Sequence, residues 1–223
     1  MIILGINDNH DAGAALTIDG ELVAGVGQER IDRIKNSGAF PWGAIDAVLD
    51  VAGKRLRDID RVVFGTSFTP SYALRRWPDL HHNRKGADNQ FDYLLNLYIL
   101  YQVGLVKRGM QGMELRACKA LLGKQLKKGG IEAPVDLMDH HSAHAQAAWR
   151  TQALDPCLVF TVDAMGDGTT VGVWLGRDGE LEKLWSQSGL AAINTYYSRV
   201  TQFLGFLPNR HEGKVTEPAV EPH

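Results

Sequence analysis

Apolar residues along this chain follow two rhythms. Short β-branched runs bounded by polar turns alternate with longer stretches in which apolar positions recur every three or four residues. That is the pattern of a mixed α/β fold. Met1 to Ile6 reads as a strand. NDNHDAG, with Asp8, His10 and Asp11, is a polar turn, and Ala14 to Ile18 is a second strand. Asp19-Gly20 is a hairpin signal, and Glu21 to Val26 is a third strand. Gln28 to Lys35 (QERIDRIK) begins a charged connection. After Pro41, Trp42 to Ala52 places Ile45, Val48, Leu49 and Ala52 on one helical face, with Gly53 as its stop. Ile59 to Phe64 is a strand that ends in the turn Gly65-Thr66-Ser67.

The middle is less regular. Phe68 to Gln90 carries Arg75, Arg76, His81, His82, Arg84 and Lys85 and reads as a basic loop or short helical pieces. Such a stretch is a solvated excursion or a guide for an anionic substrate. Phe91 to Val103 and Met110 to Lys128 read as helices. The second has Met113, Leu115, Cys118, Leu121, Leu122 and Leu126 on one stripe, and Gly129-Gly130 ends it. Pro134 to Met138 is a short strand.

The opening pattern then returns. Leu158 to Val162 is a strand, Asp163 to Gly168 (DAMGDG) a turn, Thr170 to Leu175 a strand, and Leu181 to Ser186 another. Asp19-Gly20-Glu21-Leu22 recurs as Asp178-Gly179-Glu180-Leu181. Two copies of strand, polar turn, strand, hairpin, strand suggest duplicated lobes. The superfamily of actin, hexokinase and the Hsp70 ATPase is built this way, with two polar turns facing each other across nucleotide phosphates. Leu190 to Phe206 reads as a helix, and the closing TEPAVEPH as a disordered tail.

The chemistry concentrates between Met138 and Gly168. Ser142 to Arg150 is Ala- and Gln-rich and reads as helix, so His140 and His144 share one face. Asp163 stands where the strand from Cys157 to Val162 ends. Two imidazoles and one carboxylate are ligands typical of Zn²⁺, or of Fe²⁺ in a facial arrangement. The motif is not the H-E-x-x-H of zinc proteases, because Ser142 and Ala143 offer no general base. Asp139 and His141 are the supporting or alternative ligands. Asp167, between Gly166 and Gly168, is a candidate for a phosphate-bound Mg²⁺ or a simple turn aspartate.

Composition narrows the class. With 223 residues, 44% hydrophobic, the chain suits one globular unit or two small lobes. The formal charge of −2 gives no nucleic-acid footprint. Cys118 and Cys157 make neither a disulfide framework nor a thiolate metal site. No secretory signal opens the chain, and the apolar run from Tyr93 to Val103 is too short to cross a bilayer. A reducing, cytoplasmic setting is the expectation, with no nucleic acid and no membrane as partner.

Four segments carry a family resemblance: LGINDNHDAGAALTIDGELVAGVGQERIDRIK, MDHHSAHAQAAW, TVDAMGDG and NRHEGKV. Together they resemble the N-terminal domain of the O-carbamoyltransferases of nodulation and antibiotic biosynthesis, which include the tobramycin and cephamycin enzymes. The resemblance runs from about residue 2 to Val215 and is weakest over Phe68 to Gln125. It implies an α/β, actin-like (ribonuclease H-like) domain similar to the threonylcarbamoyl-transfer proteins. On that basis residues 1–154 form a complete first lobe, 155–215 begin a second, truncated lobe, and 216–223 are a tail outside the family pattern.

The resemblance also implies a reaction. A separate C-terminal domain makes carbamoyl-adenylate from carbamoyl phosphate and ATP. The N-terminal domain transfers the carbamoyl group to a hydroxyl of a small-molecule acceptor. It assigns iron to His140, His144 and Asp163, with Zn²⁺ as the alternative, and Mg²⁺ beside the nucleotide. It assigns catalysis to His10, nucleotide contact to Lys35, and acceptor contact to Asp8 and Asp163. Two other readings stay open: a non-catalytic metal-binding remnant that needs a partner chain, and a sugar-kinase or chaperone-like ATPase of the same superfamily. The histidine pair argues against the last, since those enzymes work with Mg²⁺ on carboxylates and phosphates. The acceptor and the oligomeric state are not written in the sequence.

Overall fold

The structure, a computed structural model, describes residues 1–9, 11–35, 37–38, 40–77, 93–191, 193, 195–208 and 211–216. The described residues divide into two compact units. The first comprises residues 1–85 and 105–143, and the second comprises 86–104 and 144–223. No helix among the described residues is long and apolar enough to cross a membrane.

The first unit is built on a five-stranded sheet. β1 (Ile2–Asn7), β2 (Gly13–Ile18) and β3 (Glu21–Gly27) form an antiparallel meander. β4 (Arg61–Phe64) and β5 (Val135–Leu137) extend it in parallel, giving the order β3-β2-β1-β4-β5. Leu4 pairs with Leu16 and Ile6 with Ala14, so the alternation puts all four on one face. Helix α1 (Gln28–Asp32) leads to α2 (Trp42–Ala52), whose Ala44, Ile45, Val48 and Leu49 are buried against that face. Gly53 ends α2 in the left-handed conformation. The short helix α3 (Tyr72–Arg76) follows β4. Helices α4 (Tyr93–Lys107) and α5 (Gln111–Lys128) come next. α5 buries Cys118, Leu122 and Leu126 at four-residue spacing, and the last two join the same core. Met113, expected on that stripe, is exposed instead: it lies in the first turn of α5, five residues before Cys118, the first buried position.

The second unit repeats the meander. β6 (Cys157–Gly166), β7 (Thr169–Arg177) and β8 (Glu180–Ser188) are antiparallel in the order β6-β7-β8. Helix α6 (His140–Arg150) is one continuous element whose first turn is counted with the first unit. Its Ala145 and Trp149 pack on Val159 and Trp174. Gly176 makes room for this, because a Cβ there would lie 2.4 Å from Trp149 Nε1. Helices α7 (Thr195–Phe203) and α8 (Glu212–Thr216) complete the described chain.

Three sequence boundaries move. The turn at Asp163 to Gly168 shrinks to Asp167-Gly168, because Gly166 pairs with Thr169 and β6 runs on through Asp163 past an irregularity after Val162. Asp167 and Gly168 both have positive φ, as a two-residue type I′ hairpin turn requires. The helix expected over Leu190 to Phe206 begins only at Thr195. Residues 189–191 form a 3₁₀ turn instead, tied to the hairpin by Gly189 N–H donating to the Gly168 carbonyl at 2.9 Å. Helix α6 starts two residues early because Asp139 caps it: its Oδ1 accepts from Ser142 N–H and Oγ–H, both at 2.9 Å. Residue 78–92 and 217–223 segments, which include the expected basic loop's His81 and His82 and the closing tail, lie outside the described residues.

Candidate functional site

In the first unit β1, β4 and β5 run parallel, so their carboxyl ends share one edge of the sheet. Open α/β sheets form their sites at that edge. Three loops leave it here: Asp8 to Ala12, Gly65 to Ser71, and Met138-Asp139, which feeds straight into α6. Of the residues singled out by sequence, Asp8 and Asp139 lie on these loops, and His140 and His144 lie on α6, which the third loop feeds.

The loop after β1 is held by an ion pair. Arg75 of α3 donates from Nε to Asp8 Oδ2 at 2.8 Å and from Nη2 to Asp8 Oδ1 at 3.0 Å. The same guanidinium reaches the Ser67 carbonyl at 3.2 Å and Thr66 Oγ1 at 3.3 Å. Both side chains are nearly out of solvent, at 2% for Arg75 and 5% for Asp8. Burial alone would lower the guanidinium's pKa, but the Asp8 carboxylate more than offsets it and raises it. Arg75 therefore ties the loop after β1 to the loop after β4. The acceptor contact expected of Asp8 falls on a carboxylate whose two oxygens already receive hydrogen bonds. Arg75 itself was not picked out by the sequence, where it stands as one of several cations in an irregular stretch. The only available signal was a carboxylate and a guanidinium on loops that the topology brings to one edge.

The loop bearing Lys35 is stitched to the same turn. Ala12 N–H donates to the Ser37 carbonyl at 2.8 Å, and Gln28 N–H donates to the Ala12 carbonyl at 2.7 Å. Asp32 accepts from Ile34 N–H at 2.9 Å and from Ser37 Oγ–H at 2.6 Å, and these bonds hold its carboxyl below the usual range, the Ser37 hydroxyl having the larger effect. Lys35 is exposed on this loop. His10, the expected catalytic residue, lies outside the described residues.

The histidine pair meets its carboxylate. His140 and His144 stand one turn apart on α6, and His144 Nε2 is 3.9 Å from Asp163 Oδ2 on β6. One ligand atom from each of His140, His144 and Asp163 lies within 4.8 Å of the other two. Ligands each about 2.1 Å from a shared cation lie roughly 3.0–3.4 Å apart in a facial or tetrahedral site, so the widest pair has to draw in by more than about 1 Å for the set to close on an ion. His144 is exposed and the other two are half-buried. The donor set thus fits a divalent transition metal. Asp163 adopts its place by the continuation of β6, not at the strand's end. His141 is buried, at 1% exposure, with its ring edge-on to that of His140. Asp139 serves as the cap of α6. Asp167 is buried in the hairpin turn at the end of β6.

Comparisons with known proteins identify the family. Residues 2–219 match the family model described as carbamoyltransferase N-terminus. The uncharacterized protein sll1178 of Synechocystis sp. is 29% identical over 217 residues, covering 96% of this chain and 33% of that protein. The nodulation protein NolNO of Sinorhizobium fredii is 25% identical over 200 residues, covering 88% of this chain and 26% of that protein. The chain therefore spans about a third or less of the length of these relatives. Among solved structures, YeaZ from Pseudomonas aeruginosa is similar at 15% identity and a TM-score of 0.40, covering 83% of this chain and 64% of that one.

Proposed function

Since this chain belongs to the carbamoyltransferase N-terminus family, we propose that it is the acceptor-side, metal-binding part of an O-carbamoyltransferase. The observation that carries this reading is the convergence of His140, His144 and Asp163. A kinase-like ATPase has no use for two imidazoles beside a carboxylate. Iron is the metal the family resemblance points to, and Zn²⁺ suits the same donors.

In the proposed reaction the acceptor hydroxyl oxygen forms a bond to the carbamoyl carbonyl carbon, and the bond from that carbon to the phosphate oxygen of carbamoyl-adenylate breaks. AMP leaves, and the hydroxyl proton goes to His10 as general base, a contribution typically of about 10²–10⁴-fold. A divalent cation, when bound, supplies Lewis-acid stabilisation of the negative charge that builds on oxygen. Arg75 keeps the Asp8 turn in place next to the Lys35 loop, where the nucleotide is received. Asp163, whose Oδ1 accepts from Ala164 N–H at 2.6 Å and whose Oδ2 faces His144, is the residue that the resemblance also gives to the acceptor. Carbamoyl-adenylate comes from a further domain acting with this chain. The relatives' two-thirds of additional length is where such a domain fits.

Metal analysis of protein purified without oxygen tests the reading. We expect one iron per chain, lost in both His140→Ala and Asp163→Ala. Metal-free protein that hydrolyses ATP with Mg²⁺ would overturn it in favour of the ATPase reading.

A further inference from the structure

The five-stranded sheet of the first unit ends at β5, and no strand among the described residues pairs with the outer edge of β5. The hydrogen bonds to β4 show which groups are left over. Val62 N–H donates to the Pro134 carbonyl, and Met138 N–H donates to the Phe64 carbonyl, both at 2.9 Å. Along a strand, the residues that bond to one neighbour alternate with those that face away from it. Pro134, Asp136 and Met138 therefore face β4, and the N–H and C=O groups of Val135 and Leu137 point outward. The Val135 side chain stays in the core, so what it offers is backbone. An unpaired row of this kind is a template for another strand.

A groove of about 410 Å³ opens beside Val135. One wall is the segment from Ile131 to Val135 that leads into β5, and the other is Lys119, Gly123 and Lys127 of α5. Positions four apart share one face of a helix, so these three stand in a line. Gly123 lies in the middle of an 18-residue helix, where glycine is disfavoured relative to alanine. Packing within the chain does not require it, because a Cβ there would meet nothing within 4 Å. The space that a side chain at 123 would take up belongs to the groove.

The surroundings are mostly positive. Helix α5 carries Arg116, Lys119, Lys124, Lys127 and Lys128 against one acid, Glu114, and all five cations are exposed. Glu132 is the one acid in the groove's lining. Lys119 Nζ reaches Asp136 Oδ1 at 3.3 Å, but the two side chains are 54% and 39% exposed, so the pair is a weak one that a partner's carboxylate can displace. We propose that this edge takes an extended acidic segment of a partner protein, which adds to β5 as a sixth strand and sets its carboxylates against Lys119 and Lys127. Backbone hydrogen bonds to Val135 and Leu137 give the affinity, and the lysines select acidic sequences. The open space over Gly123 admits a side chain of the added strand. This surface lies wholly in the first unit and is independent of the metal and of carbamoyl transfer.

The test uses the whole chain and, as probe, a short labelled peptide of alternating valine and glutamate with blocked ends. The same peptide with lysine in place of glutamate is the comparison. Binding is followed by fluorescence anisotropy and located by hydrogen exchange read residue by residue. We expect the glutamate peptide alone to bind, with slowed exchange at the Val135 and Leu137 amides and no change at Asp136, whose N–H already faces β4. Gly123→Leu, which fills the groove, and Lys127→Glu, which reverses its charge, should each weaken binding by about tenfold or more. Leucine is a better helix former than glycine, so Gly123→Leu should raise the thermal midpoint while it weakens binding, a combination that damage to the fold does not produce. No binding up to about 1 mM overturns the proposal, as does binding indifferent to both substitutions. Equal binding of the lysine peptide, or protection that falls on β3 at the sheet's other edge, overturns it too. Self-association of the chain that slows exchange at Val135 and Leu137 also overturns it, because the occupant is then a second copy.

Discussion

Two sheets with the same meander end up in opposite conditions. The β1–β3 sheet is continued by two parallel strands and closed over by α2 and α5, and its inner leucines see no solvent. The β6–β8 sheet has, among the described residues, a much smaller buried core, centred on Ala145, Trp149, Val159 and Trp174. The difference shows that the repeated pattern specifies strands and turns but not a self-sufficient core. A sheet needs both faces settled, and among the described residues of the second unit only the Val159 and Trp174 face is buried. The candidate ligands His144 and Asp163 lie on α6 and β6, the elements that share the second unit's described core.

The strongest way to break the comparison is to damage what holds the first unit's site edge together. Arg75→Ala leaves the Asp8 carboxylate buried without its partner, and we expect a loss of about 3–5 kcal/mol in urea unfolding. Replacing both partners with apolar residues, Asp8→Leu with Arg75→Met, should recover most of it, because the desolvation cost of the pair goes as well. A loss below about 1 kcal/mol in the single variant would mean that water reaches Asp8 and the clamp is not a buried one.

Next in size comes a direct contrast between a buried face and an exposed one. Leu16→Ala opens a hole in a closed core and should cost about 2–5 kcal/mol. Phe160→Ala, at a ring 64% exposed on β6, should change stability by no more than about 0.5 kcal/mol, as surface substitutions do. If Phe160→Ala costs as much as Leu16→Ala, the second face is covered in solution and the two units are alike after all.

The strands, the hairpins and α2 were legible in the sequence because alternation, Asp-Gly turns and a helical stripe are local signals. Asp19-Gly20 and Asp178-Gly179 both take the paired positive φ angles their composition calls for. The His140/His144 spacing was legible for the same reason. What escaped was non-local. Nothing near Arg75 announces a partner 67 residues away. Nothing near Asp163 shows that β6 continues past it, since DAMGDG has the composition of a loop and is held in the strand by its pairing with Thr169. The bareness of Phe160 was likewise invisible, because an alternating strand reads the same whether or not anything lies on it.

The two cysteines extend the comparison to a smaller effect. Cys118, in the first unit, is fully buried, and burial pushes its thiol up to about 11 although the nearby Arg75 guanidinium pulls the other way. Cys157, in the second unit, is only half-buried. A disulfide reagent at pH 8 should therefore modify one thiol per native chain, and the second only after denaturation. Cys157→Ser should remove the native reaction. Loss of the reaction in Cys118→Ser instead would place the open unit on the wrong side.

The mildest test concerns the loop that ties Lys35 to the turn after β1. Asp32 is held below the ordinary carboxylate range by the Ser37 hydroxyl and by Ile34 N–H. A carboxylate whose folded pKa is depressed contributes stability above its unfolded pKa, about 3.9, and loses it as pH falls through the lower folded value. The loop should therefore be indifferent to pH from about 5 to 8 and loosen only below about 4. Hydrogen exchange at Ile34 and Ala12, corrected for the intrinsic pH dependence, reads this directly, because Ala12 N–H is bound to the Ser37 carbonyl. Asp32→Asn keeps an acceptor oxygen but drops the charge, so it should speed exchange at Ile34 a few-fold at neutral pH and abolish the acid-side change. An acid-side change that survives in Asp32→Asn would transfer the effect to another carboxylate, and Lys35 would then owe its position to something other than this bond pair.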